Sequence, residues 1–152
     1  MKKYWLLKSE PSCYSIDDLA KDKTALWTGV RNFQARNFLR DMKVGDLVLF
    51  YHSSEPPMGV FGVAKIAAEA VPDTTALDKE DDHYDPKATK ENPIWFAPKV
   101  AFSKKFKSPV TLSAIKFNPK LEGIMVAAQG SRLSVQPVSK EHFEEIVKMS
   151  ST

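Results

Sequence analysis

The sequence predicts an α+β domain in which short helices surround a small, barrel-like, antiparallel sheet. Strand-like and helix-like segments are mixed irregularly along the 152 residues, without the strand–helix–strand rhythm of a parallel α/β fold. At 43% hydrophobic and 27% charged residues, the composition is that of a globular protein, and the length suits one domain with a real core. We therefore expect a single domain over residues 1–152.

The first third of the chain predicts one strand and two helices. The run "KYWLLKSEP" is β-like and apolar, and Pro11 stops it. Ser15 is placed to cap a short helix, "IDDLAKD", whose acids fall in its first turn. A second helix ends in a turn at Gly45-Asp46. Its apolar residues follow i, i+3, i+4, i+7 spacing on one face: Ala35, Phe38, Leu39 and Met42.

The remaining segments predict three more strands of the sheet, a returning strand and two helices. "DLVLFYHSS" and "VFGVAKIAAEAV" flank the turn "EPPMG" and predict a hairpin, in which Gly59 and Gly62 allow a bulge or a close backbone approach. Residues 72–93 form a long polar loop, and loops of this length are often functional. A strand "IWFAPKVAFSKKF", a helix "SPVTLSAIKFNP", a strand "RLSVQPVS" and a final helix capped by Ser139 follow.

Charge is polarised along the chain although its net value is only +3, from 22 basic and 19 acidic residues. Residues 99–120 carry six lysines and no acid, whereas residues 69–91 carry eight acids and three lysines. Such a distribution suits a basic face against a polyanion, or simply a solvated charged surface.

Several classes of protein are disfavoured. No apolar run approaches the roughly 20 residues needed to cross a membrane, and the apolar stretch at the start is too short for a signal peptide. We expect a cytoplasmic protein, or a nuclear one in a eukaryote. A single cysteine, Cys13, excludes an internal disulfide and a CxxC site, and the three histidines lack metal-ligand spacing. We expect no metal and no cofactor.

Catalytic signatures are absent from the sequence. It contains no GxSxG, P-loop, GxGxxG or HExxH motif. A pairing of Cys13 with a histidine is the one nucleophilic arrangement left open, and a lone cysteine is far more often inert. We therefore expect a binding protein, not an enzyme.

A set of aromatic residues beside polar or cationic neighbours points to binding instead. Aromatic faces that stack a base, with Lys and Arg nearby for phosphate, are suited to single-stranded or flipped nucleotides. Ser9, Asn32 and His52 are candidates to read a base edge. The alternative is that the aromatic residues are core residues. They are Trp5, Trp27, Tyr51, Tyr84 and Trp95.

Seven motifs, in order and spread over nearly the whole chain, resemble the EVE domain family of the PUA-like superfamily, which also contains the YTH and ASCH domains. The motifs are "YWLLKSEP" (4–11), "WTGVRNFQARNFLRDMKVGD" (27–46), "VLFYHS" (48–53), "GVFGVAKI" (59–66), "HYDPK" (83–87), "NPIW" (92–95) and "RLSVQPV" (132–138). The resemblance implies a PUA-like β-barrel with short surrounding helices. It also implies a nucleic-acid reader that recognises a modified base: 5-methyl- or 5-hydroxymethylcytosine in DNA, or a modified RNA base.

The resemblance also suggests roles for particular residues. In YTH domains the tryptophan that corresponds to Trp27 stacks on a methylated adenine, so Trp27 is expected to form the wall on which a base stacks. The other expected pocket residues are Ser9, Asn32, Tyr51, His52 and, closing over the site, Tyr84. The expected phosphate contacts are Lys8, Arg31, Arg36 and Arg132. The opposing interpretation packs Trp27 in the core and places the arginines in surface salt bridges.

The sequence departs from the family pattern at His83, where many members have an aromatic residue, and at residues 126–128, where relatives often carry a more basic stretch. Two rival functions remain open. One is an enzyme that acts on modified nucleotides, and the other is a module that uses the same pocket for a free nucleoside or a peptide. Binding that does not weaken with salt would favour the latter, because phosphate contacts make affinity salt-dependent.

Overall fold

Six strands form one mixed sheet in the computed structural model, which describes residues 2–150, and four helices pack around it. The strand order across the sheet is β2-β5-β4-β3-β1-β6. The elements are β1 (Tyr4–Ser9), α1 (Ile16–Asp22), β2 (Thr24–Leu26), α2 (Phe33–Asp41), β3 (Leu47–His52), β4 (Gly59–Pro72), β5 (Phe96–Thr111), α3 (Leu112–Phe117), β6 (Val135–Val138) and α4 (Lys140–Met149).

The predicted α+β class is confirmed, with two differences in the sheet. Its edge strands β2 and β6 are not hydrogen-bonded to each other within the described residues, so the sheet is not a closed barrel. It is also not wholly antiparallel, because β1 pairs parallel with β3 while the other neighbours are antiparallel. Parallel strands need a long connection, and here α1, β2 and α2 return the chain from the end of β1 to the start of β3.

Local signals located the helices well. Ser15 caps α1 in a reciprocal capping box with Asp18, and Ser139 caps α4 through the His142 N–H. In α2, Ala35 and Leu39 are buried as the spacing predicted. The predicted β3–β4 hairpin is present.

Close backbone approach explains the glycines of β4. A Cβ atom added to Gly59 would collide with the Val110 carbonyl oxygen, and one added to Gly62 would collide with the Lys104 carbonyl oxygen. The register of β4 against β5 also shifts between Val60 and Gly62.

The sheet has a core on each face because side chains alternate along its strands. On β1, Trp5 and Leu7 belong to one core, with Trp27 and the buried side of α2. Leu6 lies in the other core, with Tyr51 and the buried side of α4. Neighbouring residues at the end of β1 therefore face opposite sides of the sheet. Residues of β1 can line the same cavity with the side chains of their own face.

No helix within residues 2–150 combines the length and apolar character needed to span a bilayer.

Candidate nucleic-acid interface

A cavity of about 620 Å³ opens beside Trp27, and we call it the tryptophan cavity. Trp27 is only 9% exposed: its indole packs edge-on against Phe50, with ring centroids 5.5 Å apart, and also lines the cavity. The residue is therefore both a core residue and a cavity wall. The lining residues are Lys8, Ser9, Cys13, Tyr14, Ala25, Leu26, Trp27, Thr28, Gly29, Val30, Arg31, His83 and Ser134.

The loop that carries Trp27 is held by a buried carboxylate from the 72–93 loop. Asp73 accepts hydrogen bonds from the Gly29 N–H at 2.8 Å and from Arg31 Nη1 at 3.0 Å. Its other oxygen accepts from the N–H and the hydroxyl of Thr75. Burial by itself would raise the pKa of Asp73, but the hydrogen bonds from Thr75, Gly29 and Arg31 outweigh it and hold the pKa below its ordinary value. The carboxylate stays charged and fixes the cavity rim.

Every nitrogen of the Arg31 guanidinium donates a hydrogen bond within the protein. Its Nε donates to the His83 carbonyl oxygen at 2.9 Å, and its Nη2 donates to the Thr75 hydroxyl at 3.0 Å. Its guanidinium carbon lies 5.4 Å from the centroid of the Trp95 ring. Since its charge is paired with Asp73, Arg31 positions the cavity rim more than it offers a free cation.

His83 covers the backbone at Gly29. Gly29 has φ +88°, and a Cβ atom there would lie 2.9 Å from two atoms of the His83 ring. Only a residue without a side chain allows this contact. The long polar loop therefore contributes His83 to the cavity wall, and its Ala76 and Ala88 are buried in a small core with Trp95.

A second cavity, of about 600 Å³, lies on the other side of Lys8, and we call it the basic cavity. It carries three cations, and the described residues that line it include no acid. Lys8 lines both cavities; its Nζ donates to the Ser131 carbonyl oxygen at 3.1 Å and lies 5.7 Å from the Tyr51 ring centroid. Burial lowers the pKa of Lys8. The lining residues are Lys8, Tyr51, Ser53, Met58, Leu112, Lys116, Val126, Ala127, Ala128, Gln129, Gly130, Ser131 and Arg132.

Comparison with known proteins identifies the family. The chain matches the EVE domain over residues 3–149. This chain belongs to the EVE domain family. It is 41% identical over 164 residues to thymocyte nuclear protein 1 of Gallus gallus, an alignment that covers 96% of this chain and 68% of the chicken protein.

Solved structures agree with this EVE assignment. A hypothetical protein from Leishmania major superimposes with a TM-score of 0.95 at 48% identity, covering 99% of this chain and 96% of that one. Human THYN1, in complex with 5-methylcytosine containing DNA, superimposes with a TM-score of 0.92 at 36% identity, covering 99% of both chains. An ASCH protein from Zymomonas mobilis shares the fold alone, at 11% identity and a TM-score of 0.55. The predicted EVE family is thus confirmed, and the ASCH protein shows that the same fold occurs outside it.

Four of the ten residues expected at the site of this EVE domain line the tryptophan cavity: Lys8, Ser9, Trp27 and Arg31. The Ser9 hydroxyl donates to the Tyr14 carbonyl oxygen at 2.6 Å, which leaves its oxygen lone pairs to accept from a ligand. Arg132 and Tyr51 line the basic cavity instead, together with Lys8.

Tyr51 and His52 were expected in one pocket, but neighbouring residues of a strand point to opposite faces. Tyr51 is buried with the second core. His52 is also buried: its Nε2 accepts a hydrogen bond from the Ile16 N–H at 3.1 Å, and its ring stacks on Phe61. Burial lowers the pKa of His52, consistent with a neutral, structural imidazole.

Asn32, Arg36 and Tyr84 do not line the tryptophan cavity. The Asn32 side chain caps α2 by accepting from the Ala35 N–H at 2.9 Å. Arg36 donates to the Ile94 carbonyl oxygen at 3.0 Å and lies over the Phe33 ring. Tyr84 follows the turn at Asp81, and its neighbour His83 takes the place expected for it.

Sequence reasoning missed Tyr14, Gly29, Asp73 and Ser134. Tyr14 lines the tryptophan cavity edge-on to Trp27, with ring centroids 6.4 Å apart, and burial and the hydrogen bond to Asp22 raise its pKa. Strand alternation was the available signal for Tyr51 and His52, whereas nothing local marks Asp73 or Ser134. Among residues 2–150, no group of three or more His, Cys, Asp or Glu is arranged to hold a metal ion.

Proposed function

We propose that this EVE domain is a non-enzymatic reader of modified cytosine in DNA, and that it holds the base, extruded from its stack, in the tryptophan cavity. One observation carries the proposal: the indole of Trp27 lines a cavity of about 620 Å³, large enough for a base, together with Lys8 and Arg31. Human THYN1, 36% identical over 99% of both chains, was solved in complex with 5-methylcytosine containing DNA, which supports the same ligand class here.

The energetics favour modest selectivity. Stacking on an aromatic side chain contributes about 1–3 kcal/mol per base, whereas extruding a base from a duplex costs a few kcal/mol. A methyl group buried in the cavity adds about 0.8 kcal/mol. We therefore expect single strands to bind better than duplexes, with a preference of roughly fourfold for 5-methylcytosine over cytosine.

The contacts in the cavity favour binding over chemistry. The Ser9 hydroxyl donates to a backbone carbonyl oxygen and not to a base, so it lacks the activation that a serine nucleophile needs. Asp73, the buried carboxylate behind the rim, is engaged by four hydrogen bonds. These side chains hold the shape of the cavity.

The test is a titration by fluorescence anisotropy with one DNA sequence that carries cytosine, 5-methylcytosine or 5-hydroxymethylcytosine at a single position, single-stranded and duplex, beside the matched RNA. Because Trp27 is also a core residue, Trp27→Ala is expected to lose about 3–5 kcal/mol of stability as well as binding. Ser134→Leu is the sharper variant, since Ser134 lines the cavity and the larger leucine would occupy part of the space available to a base.

Ser103→Leu is the matched control, because Ser103 is an exposed serine on β5 that does not line the cavity. We expect a preference for modified cytosine that Ser134→Leu abolishes and Ser103→Leu retains. Equal affinity for every oligonucleotide, unchanged by Ser134→Leu, would contradict the proposal. A preference confined to RNA would contradict its assignment to DNA.

A further inference from the structure

The end of β1 stands between two cavities of similar size. Ser9 faces the tryptophan cavity, and Lys8, one position earlier on the strand, lines the basic cavity beside Tyr51, its neighbour on β3. Lys8 also lines the tryptophan cavity. The segment 131–134 runs past both, with Ser131 in the basic cavity and Ser134 in the tryptophan cavity. The two cavities therefore share a wall of two short segments.

Three cations and no acid are found among the described residues that line the basic cavity. Lys8 on β1, Lys116 on α3 and Arg132 in the loop before β6 converge on it from three separate elements. Of the six lysines in residues 99–120, only Lys116 lines this cavity; Lys105, for example, is paired with Asp17 at 2.7 Å. An ammonium carries three donors, so the contact of Lys8 with Ser131 leaves capacity for an anion.

The loop of the basic cavity allows a backbone to approach closely. Gly130 has φ +73°, and nothing lies within 4 Å of a Cβ atom placed there. The loop is fastened at its base, because the buried side chain of Gln136 donates to the Ser131 hydroxyl and to the Leu133 carbonyl oxygen. Leu112 and Met58 form an apolar part of the cavity wall. Size, cations and an apolar wall together suit a nucleotide, with its phosphate on the cations.

We propose that the basic cavity is a second nucleotide subsite, which binds the phosphodiester of the nucleotide next to the one whose base enters the tryptophan cavity. The inference rests on the proposed function and assigns Lys116 and Arg132 to it. Lys8 is the shared cation, since it lines both cavities. A strand whose base is extruded into one cavity crosses the end of β1 at Lys8, so the adjacent phosphate meets the other two cations.

The test measures the double variant Lys116→Gln/Arg132→Gln against wild type. The probes are the nucleoside 5-methyl-2′-deoxycytidine and a single-stranded DNA hexamer that contains the modified base or cytosine. Lys120→Gln is the matched control, because it removes one exposed lysine just beyond α3 that does not line the basic cavity. Urea unfolding checks that each variant is folded.

We expect the double variant to lose about tenfold or more of its hexamer affinity at low salt. Its plot of log affinity against log salt should also be shallower, by about 0.7 for each phosphate that the variant no longer neutralises. Its affinity for the nucleoside and its ratio of 5-methylcytosine to cytosine binding should match wild type. Lys120→Gln should change none of these quantities.

The outcomes separate this inference from the proposed function. If the double variant binds the hexamer within twofold of wild type and with the same salt slope, the inference is overturned. A retained preference for 5-methylcytosine in that case would still support the proposed function. A double variant that loses hexamer affinity and salt dependence, while wild type shows no preference for any base, would support the phosphate contact and overturn the proposed function. Competition by inorganic phosphate or deoxycytidine monophosphate as strong as that of the hexamer would overturn the assignment to a strand.

Discussion

The two cavities use their charged groups in opposite ways. At the tryptophan cavity, the Arg31 guanidinium and the Asp73 carboxylate are consumed by contacts within the protein, and they hold the Trp27 loop against the 72–93 loop. At the basic cavity, Lys116 and Arg132 are accessible to solvent and no acid lines the site with them. A fixed shape suits discrimination of a base, whereas cations at the surface suit a phosphate that carries no sequence information. In our two proposals, the contact with the base and the contact with the phosphate therefore lie on opposite faces of β1.

Asp73→Ala tests the fixed rim most strongly. The substitution leaves Arg31 and the Gly29 N–H without their partner, and breaking a buried ion pair of this kind costs about 3 kcal/mol. Urea unfolding measures the loss, and modified-cytosine preference should fall with it. Asp82→Ala, an exposed acid on the same loop, should be neutral. Equal stability of the two variants would show that the rim does not depend on Asp73.

Gly29→Ala tests the contact between the two loops. Gly29 and Gly45 both have a positive φ, +88° and +95°, but only at Gly29 would a Cβ atom meet another side chain. Gly45→Ala should therefore lose only the backbone cost, about 1–2 kcal/mol, while Gly29→Ala should lose about 1 kcal/mol more. Thermal unfolding compares them. The excess should disappear when His83 is also changed to alanine, and an excess that persists would place its cause elsewhere.

The pH dependence of stability should follow the buried carboxylates. Hydrogen bonds hold the pKa values of Asp73 and Asp46 below their ordinary value, against the effect of burial. Their stabilisation is complete above the unfolded-state pKa and is lost as pH falls through the folded-state pKa, so stability should decline from about pH 5 downwards. Asp73→Asn should flatten this decline, as measured by urea midpoints between about pH 6 and about pH 3. An unchanged pH profile would contradict a charged Asp73.

Lys116→Gln should have the smallest effect on folding. Lys116 is exposed, so its removal should change the free energy of unfolding by no more than about 0.5 kcal/mol. A thermal melt beside wild type is sufficient. A larger loss would mean that the basic cavity, like the tryptophan cavity, uses its cations to hold the fold.

How far the sequence predicted this molecule depended on the range of each signal. Ser15 and Ser139 were recognised as caps because a cap is satisfied within three residues. Asn32 caps α2 by the same chemistry, a role that the sequence analysis did not assign to it, and its expected contact with a base edge stays a prediction. The short strand β2 was missed, since three residues carry too little pattern to be seen.

The sequence named some of the residues that line the tryptophan cavity. Trp27, Ser9 and Lys8 are among them, and their expected contacts with a base or a phosphate stay predictions. His52 was expected in the pocket but does not line the tryptophan cavity, because it stacks on Phe61 and accepts from the Ile16 N–H, which lies 36 residues earlier in the chain. No local pattern marks Asp73, because its role depends on hydrogen bonds from Gly29 and Arg31, which lie more than 40 residues away in the sequence.

The EVE family, the α+β class and the helices capped by Ser15 and Ser139 follow from the order of residues, because each rests on spacing within about ten positions or on motifs in sequence. Tertiary structure alone decided that β1 and β3 run parallel, that the sheet stays open, and that Lys8 lies between two cavities. Those features depend on contacts between residues that are distant along the chain. Strand alternation then distributes neighbouring residues to opposite faces, and with them the linings of the two cavities.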